Sequence, residues 1–157
     1  MRHTTLIIPL LCVAVLAGCD TGGYRSYTDT FPSGQKQEQG KRKFLGVVCG
    51  TPRYAYDGFF QSWYQDGKNE SAIYYSSGHR HGVATNWFAN GKLKYRVTWK
   101  TGQRDGPFVV GYDNGQVSSR GVFRQEVLES AEFFDRTGKT ITLDEWCRVG
   151  DNRPFWR

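Results

Sequence analysis

Trp63-Tyr64-Gln65-Asp66-Gly67-Lys68 is answered twenty-four residues later by Trp87-Phe88-Ala89-Asn90-Gly91-Lys92, and after the same interval by Gly111-Tyr112-Asp113-Asn114-Gly115-Gln116. Gly58, Gly82 and Gly106, which follow Asp57, His81 and Asp105, keep the interval, as do Gly78 with Gly102 and Arg80 with Arg104. With 19 glycines in 157 residues, two complete glycine columns sharing one period are not coincidence. The chain is a repeat array. Its units fall at 57–80, 81–104 and 105–128. A degenerate unit at 129–139, where Phe134, Asp135 and Gly138 follow a shortened step, has the character of a capping repeat.

Asp66-Gly67, Asn90-Gly91 and Asn114-Gly115 are dipeptides that tolerate positive φ at both central positions of a type I′ turn, so each is expected to close a two-residue hairpin. The flanks agree: Leu93, Tyr95, Val97 and Trp99 alternate with Lys94, Arg96 and Thr98, the period of a strand with one buried face. Ser77-Gly78 and Thr101-Gly102 open a second set of turns. The expected fold is all-β. Hairpins of the 24-residue unit stack into one elongated, twisted antiparallel sheet, because a single hairpin of this kind is not stable alone.

The unit, an aromatic pair before Asn/Asp-Gly-Lys, then a strand, a Gly turn and a His/Asp-Gly restart, resembles the bacterial variant of the MORN repeat. Trp63 to Lys68, Trp87 to Leu93 and Tyr112 to Gln116 carry the resemblance, which covers about 57–139, over half the chain. Gly111 departs from it, standing where the first two units have Trp63 and Trp87. The resemblance implies the same stacked hairpins. It also implies an interaction module, since members include antitoxins of toxin–antitoxin pairs and envelope lipoproteins.

Upstream of the array, residues 1–18 read as a signal peptide: Arg2, then an apolar run from Leu6 to Leu16 too short for a permanent span. Leu16-Ala17-Gly18-Cys19 resembles the lipobox of bacterial lipoproteins, which implies cleavage before Cys19 and a diacylglyceryl thioether on it. Asp20 resembles an inner-membrane retention signal. The expected address is the periplasmic side of a cell-envelope membrane, with the choice of membrane open and Asp20 leaning inner. Residues 19–42 are expected to be the lipidated N-terminus and a flexible tether, since Asp20 to about Gln39 is rich in Gly, Ser, Thr and Gln without sustained alternation. The repeat domain is then 43–157. Phe44 to Val48 and Tyr54 to Tyr56 are expected to cover one end of the sheet and the tail from Trp146 to Trp156 the other. Cys49 and Cys147 flank the array and are expected to pair in an oxidising envelope, the alternatives being two free buried thiols or an intermolecular bridge.

The net charge is +6, with cations clustered at Lys41-Arg42-Lys43 and at Arg148, Arg153 and Arg157. Such clusters suit acidic phospholipid or an acidic partner, and the export signal disfavours nucleic acid. His79 and His81 lack a third ligand, so no metal or other cofactor is expected. Asp57, Asp105 and Asp113 sit at turns, and Glu126, Glu129, Glu132, Asp144 and Glu145 read as a solvated face. With no nucleophile motif and no carboxylate pair, no catalytic residue is assigned, and a small-molecule substrate is disfavoured. The binding surface is expected from aromatic rows beside cations: Trp63, Tyr64, Trp87, Phe88, Tyr95, Trp99, Arg80 and Arg104. The function expected is that of a non-enzymatic, membrane-anchored module for a protein partner, in its sharper form an immunity protein or antitoxin. The alternative is a structural envelope lipoprotein that binds phospholipid or cell-wall glycan.

Overall fold

Strands separated by tight turns run back and forth through the whole of the computed structural model, which describes residues 23–148. They are β1 (Arg25–Thr30), β2 (Lys36–Val48), β3 (Thr51–Tyr56), β4 (Gly58–Trp63), β5 (Asn69–Ser76), β6 (His79–Arg80), β7 (Gly82–Trp87), β8 (Leu93–Lys100), β9 (Gln103–Gly111), β10 (Val117–Arg124), β11 (Val127–Phe134) and β12 (Thr140–Ile141), followed by the helix α1 (Leu143–Arg148). They form one open antiparallel sheet in the order β1-β2-β4-β5-β7-β8-β9-β10-β11-β12, with β3 paired to β2 and β6 to β5. The stacked-hairpin sheet is therefore present. Asp57-Gly58 and His81-Gly82 mark kinks where β3 passes into β4 and β6 into β7, with Gly58 and Gly82 at φ of 80° and 72°.

The two kinds of turn lie at opposite ends of the strands, and their chemistry is the reverse of the expectation. Tyr64 N donates to Lys68 O at 2.8 Å and Gly67 N to Tyr64 O at 2.9 Å. Only Gly67 among the loop residues has positive φ, at 83°. That is a three-residue loop, a type I turn closed by a glycine bulge, rather than a type I′ turn. Phe88 to Lys92 and Tyr112 to Gln116 repeat it. The Asn or Asp is there for its side-chain oxygen: Asp66, Asn90 and Asn114 accept the backbone N–H of Lys68, Lys92 and Gln116 at 3.0–3.1 Å. Type I′ geometry belongs to the other end, where Cys49-Gly50, Ser77-Gly78, Thr101-Gly102 and Gln125-Glu126 have both residues at positive φ.

The expected tether is corrected by the same loop. Phe31 N donates to Gln35 O and Gly34 N to Phe31 O, both at 2.8 Å, so Phe31-Pro32-Ser33-Gly34-Gln35 closes a further hairpin of β1 and β2. Of the 19–42 stretch, everything from Arg25 lies in this hairpin. Its alternation is real but polar: Tyr27, Asp29, Glu38, Gly40 and Arg42 are the more sheltered positions. Arg42 bridges Asp29 and Glu38 at 3.5 and 3.6 Å, and its guanidinium lies 3.7 Å from the Tyr27 ring centre.

The core sits on one face of β8, β9 and β10. Val97, Phe108 and Phe123 are essentially inaccessible, with Tyr95, Trp99, Val110 and Ala131 packed around them. At the C-terminal end, Thr142 and Glu145 form a reciprocal capping box: Thr142 N donates to Glu145 Oε2 at 2.8 Å and Glu145 N to Thr142 Oγ1 at 3.2 Å. The short helix so started seats Trp146, which is buried against Phe133 with Nε1 donating to Ser118 Oγ at 2.9 Å. Ser118 adjoins Val117, which pairs with Gly111. A Cβ at Gly111 would strike the carbonyl oxygen of Leu93, which is why the tryptophan column lapses there.

The Cys49–Cys147 bridge is not formed: both thiols are free and exposed. Cys49 occupies the tip of the β2–β3 hairpin and Cys147 lies in α1, which packs on β11. At about 4.8 Å per strand, the seven steps from β2 to β11 separate them by roughly 30 Å, against under about 7 Å between the Cα atoms of a disulfide. A chain beginning at Asp20 carries every described strand of the sheet.

Candidate functional site

The repeated polar and aromatic columns hold neighbouring turns together. Tyr64 Oη donates to Trp87 O at 2.7 Å, and Tyr112, one unit after Phe88, reaches Phe134 O at 2.9 Å. Lys68 Nζ donates to Ala89 O at 3.1 Å, Asn90 Nδ2 to Asp113 O at 2.7 Å and Asn114 Nδ2 to Arg136 O at 2.9 Å. Each turn is thus tied to the carbonyls of the next, one unit along the array.

Most residues expected to bind a partner serve this scaffold. Tyr95 and Trp99 pack on the core cluster, and burial pushes the Tyr95 hydroxyl above its usual pKa. Arg80 lies over Trp99 at 4.9 Å and Arg104 over Phe123 at 4.6 Å. Arg104 also donates from its backbone N–H to Glu126 Oε1 and from Nε to Oε2 at 2.7 Å. Trp63 has Lys36 at 5.7 Å and Phe88 has Lys94 at 5.7 Å. Trp63, Tyr64, Trp87, Phe88, Tyr95, Trp99 and Arg104 are all part-buried, and only Arg80 of the eight is exposed.

Because several turn carboxylates accept these bonds, the scaffold is acid-sensitive. The side-chain bond from Lys68 lowers Asp66, that from Arg136 lowers Asp113, and that from Thr137 lowers Asp135. Burial pushes Glu126 up, but the hydrogen bonds and charge of Arg104 outweigh it and leave the group lowered. A carboxylate lowered in the folded state contributes stability that is complete above its unfolded pKa and is lost as pH falls through the folded one. The melting temperature is therefore expected to stay level with respect to these groups from neutrality to about pH 5 and to fall progressively below about pH 4. In melts recorded across this range, Asp66→Asn should weaken the acid decline, since Asn90 and Asn114 show that the amide makes the same turn bond. An unchanged acid decline in that variant would remove Asp66 from the account.

The exposed apolar surface lies elsewhere. Phe59 (58% exposed) faces Tyr74 (47%) in register across β4 and β5. The larger group is Phe44, Leu45, Val47 and Val48 on the β2–β3 hairpin, each at least 55% exposed. At the base of that hairpin a cleft of about 510 Å³ opens between β1 and β3, lined among others by Arg25, Tyr27, Arg42, Lys43, Phe44 and Tyr54. The sequence carries the signal for this site: Phe44-Leu45-Gly46-Val47-Val48 is an uninterrupted apolar run, and Lys41-Arg42-Lys43 precedes it.

Among the described residues no three His, Cys, Asp or Glu side chains cluster as metal ligands, and no helix is long and apolar enough to cross a membrane. Cys19 and Asp20, like Arg153, Trp156 and Arg157, lie outside the described residues. No family model, no curated protein and no solved structure matches the chain.

Proposed function

We propose that the chain is a non-enzymatic lipoprotein of the bacterial cell envelope, anchored through lipid on Cys19 and facing the periplasm, whose repeat sheet binds a protein partner. The observation that carries this reading is the use of the repeated side chains: Tyr64, Lys68, Asn90, Tyr112 and Asn114 bond to the backbone of the neighbouring turn. Residues so used build a rigid surface rather than a reacting centre. An immunity or antitoxin role is the sharper form of the proposal, in keeping with the MORN-like unit. The anchor is read from Leu16-Ala17-Gly18-Cys19 and from the apolar run before it.

Cys19→Ser is expected to abolish incorporation of labelled fatty acid in cells while the melting curve of the sheet is unchanged. Retained label would remove the anchor from the proposal. For the partner, expression of the gene adjacent to this one, with and without this chain, is the direct assay; the immunity form predicts that it is toxic alone and not with this chain, and equal growth in both would remove it. The second reading, a lipoprotein that holds phospholipid, is favoured by one specific observation, the exposed apolar hairpin beside Lys43 and Arg53.

A further inference from the structure

The β2–β3 hairpin is unlike the corresponding hairpins further along. Outside the kink at Asp57-Gly58 it makes six residue pairs, from Arg42↔Tyr56 to Val48↔Thr51, where β5–β6 outside His81-Gly82 makes two and β8–β9 outside Asp105-Gly106 makes two, Trp99↔Arg104 and Lys100↔Gln103. β1 stops pairing with β2 at Arg42, and β3 pairs only with β2, so among the described residues the outer part is a two-stranded ribbon standing off the sheet. Two-stranded ribbons are marginal in water. This one is also apolar on both faces: Phe44, Leu45, Val47 and Val48 are 55–60% exposed, and beyond the register shift between Phe44 and Gly46 the adjacent Val47 and Val48 point to opposite sides.

Charge follows the same division. From Lys41 to Tyr56 there are four cations and no carboxylate. Arg42 is held by Asp29 and Glu38 between the rings of Tyr27 and Tyr54, while Lys43 and the neighbouring Arg25 are exposed at the cleft and Arg53 is exposed further out, opposite Gly46. The ribbon therefore presents an apolar tip on a base that carries Arg25 and Lys43, with Arg53 midway along it on a side chain long enough to reach back toward that base. A flat protein partner would cover one face and leave the other wet. An acyl-chain layer covers both, and its phosphates meet the cations.

The chain's entry point favours the same occupant. β1 is antiparallel to β2, with Arg25 opposite Arg42, so the chain enters β1 at the end from which the ribbon projects. Six residues from Cys19 to Arg25 reach at most about 21 Å, and seven from Arg42 to Cys49 extend about 23 Å. A lipid on Cys19 would hold the tip within reach of the bilayer; this step alone rests on the anchor reading above.

We propose that the β2–β3 hairpin is a membrane-dipping arm: Phe44, Leu45, Val47 and Val48 enter the acyl boundary of an anionic phospholipid layer while Arg25, Lys43 and Arg53 meet its phosphates. The test uses the chain from Asp20 to Arg157, which has no lipid and no leader, so its failure leaves the Cys19 anchor untouched. Vesicles of phosphatidylethanolamine with phosphatidylglycerol are expected to co-sediment the protein, and phosphatidylcholine vesicles to do so weakly. Val47→Asp with Val48→Asp should lower the apparent affinity at least about tenfold, and Lys43→Glu with Arg53→Glu should remove most of its salt dependence. All four positions are exposed, so unchanged melting curves serve as the folding control. In a separate variant, the indole introduced by Val48→Trp should be quenched by vesicles with brominated acyl chains. Undiminished binding by the double aspartate variant, absence of quenching, or a soluble dimer that buries the arm in place of vesicle binding would each overturn the proposal.

Discussion

Phe108→Ala is expected to destabilise the fold by about 3 to 5 kcal/mol, the range for deleting a fully buried phenylalanine. Phe108 is 1% exposed, and its ring centre is 4.9 Å from that of Phe123. It belongs to the cluster of Val97, Phe108 and Phe123, so neighbours cannot close the void without shifting Val97 and Phe123 together. A single sheet layer has no second layer to relax into the space. The change should appear as a drop in melting temperature on the order of 10 to 20 °C, with an unchanged denaturant slope if unfolding stays two-state. Phe59→Ala is the matched control: Phe59 is 58% exposed, so its loss should cost no more than about 0.5 kcal/mol. Comparable losses at the two positions would mean that the core is not centred on β8 to β10.

Why Phe108 and not Phe59 carries the core was only partly legible in the sequence. Periodicity located the strands, and alternation from Leu93 to Trp99 separated inside from outside, because those positions are apolar on one side and charged on the other. The same test failed from Arg25 to Arg42, where the inward side chains are Tyr27, Asp29, Glu38 and Arg42 and the ordering force is an ion pair between aromatic rings. Phe31-Pro32-Ser33-Gly34-Gln35 was the available signal, an aromatic and a glycine in the frame of Tyr64 to Lys68, displaced by 33 residues instead of 24. The longer step is the ribbon itself. Turn type differs from the expectation for a related reason: Asn-Gly serves both a type I′ pair and the end of a three-residue loop, and only the partner across the loop, Lys68 for Tyr64, decides. The expected binding residues are aromatic and cationic columns that repeat with the unit. Aromatic and cationic columns that repeat with the fold are those the fold needs, whereas the exposed apolar run occurs once.

Gly121 is where the repeat tolerates least. It lies opposite Phe108 in the β9–β10 register and opposite Ala131 in β10–β11. Its backbone is ordinary extended strand, so the residue is not there for positive φ. A Cβ at this position would run into the carbonyl oxygen of Ser130 and come within 2.8 Å of Phe108 Cε1 and 2.9 Å of Ala131 Cα. Two of those three atoms are backbone and cannot turn away as a flexible side chain would. Gly121→Ala must therefore push β11 off β10 or tilt the Phe108 ring out of the core, and its cost is expected at or above about 3 kcal/mol, the upper end for overpacking. Gly40 is the comparison that isolates sterics from chain entropy, being another strand glycine without positive φ. There a Cβ meets Phe60 and Tyr27 ring carbons at 3.4 Å and Phe59 O at 3.5 Å, ordinary contact. Gly40→Ala should stabilise by about 0.5 kcal/mol, because a methyl group there restricts only the unfolded chain. Opposite signs in paired melts would locate the strain at the β10–β11 junction, and equal effects would mean that the two strands separate freely there. Gly121 then fixes the distance at which the last hairpin docks, and with it the row from Ser119 to Phe133 on which Trp146 closes the sheet.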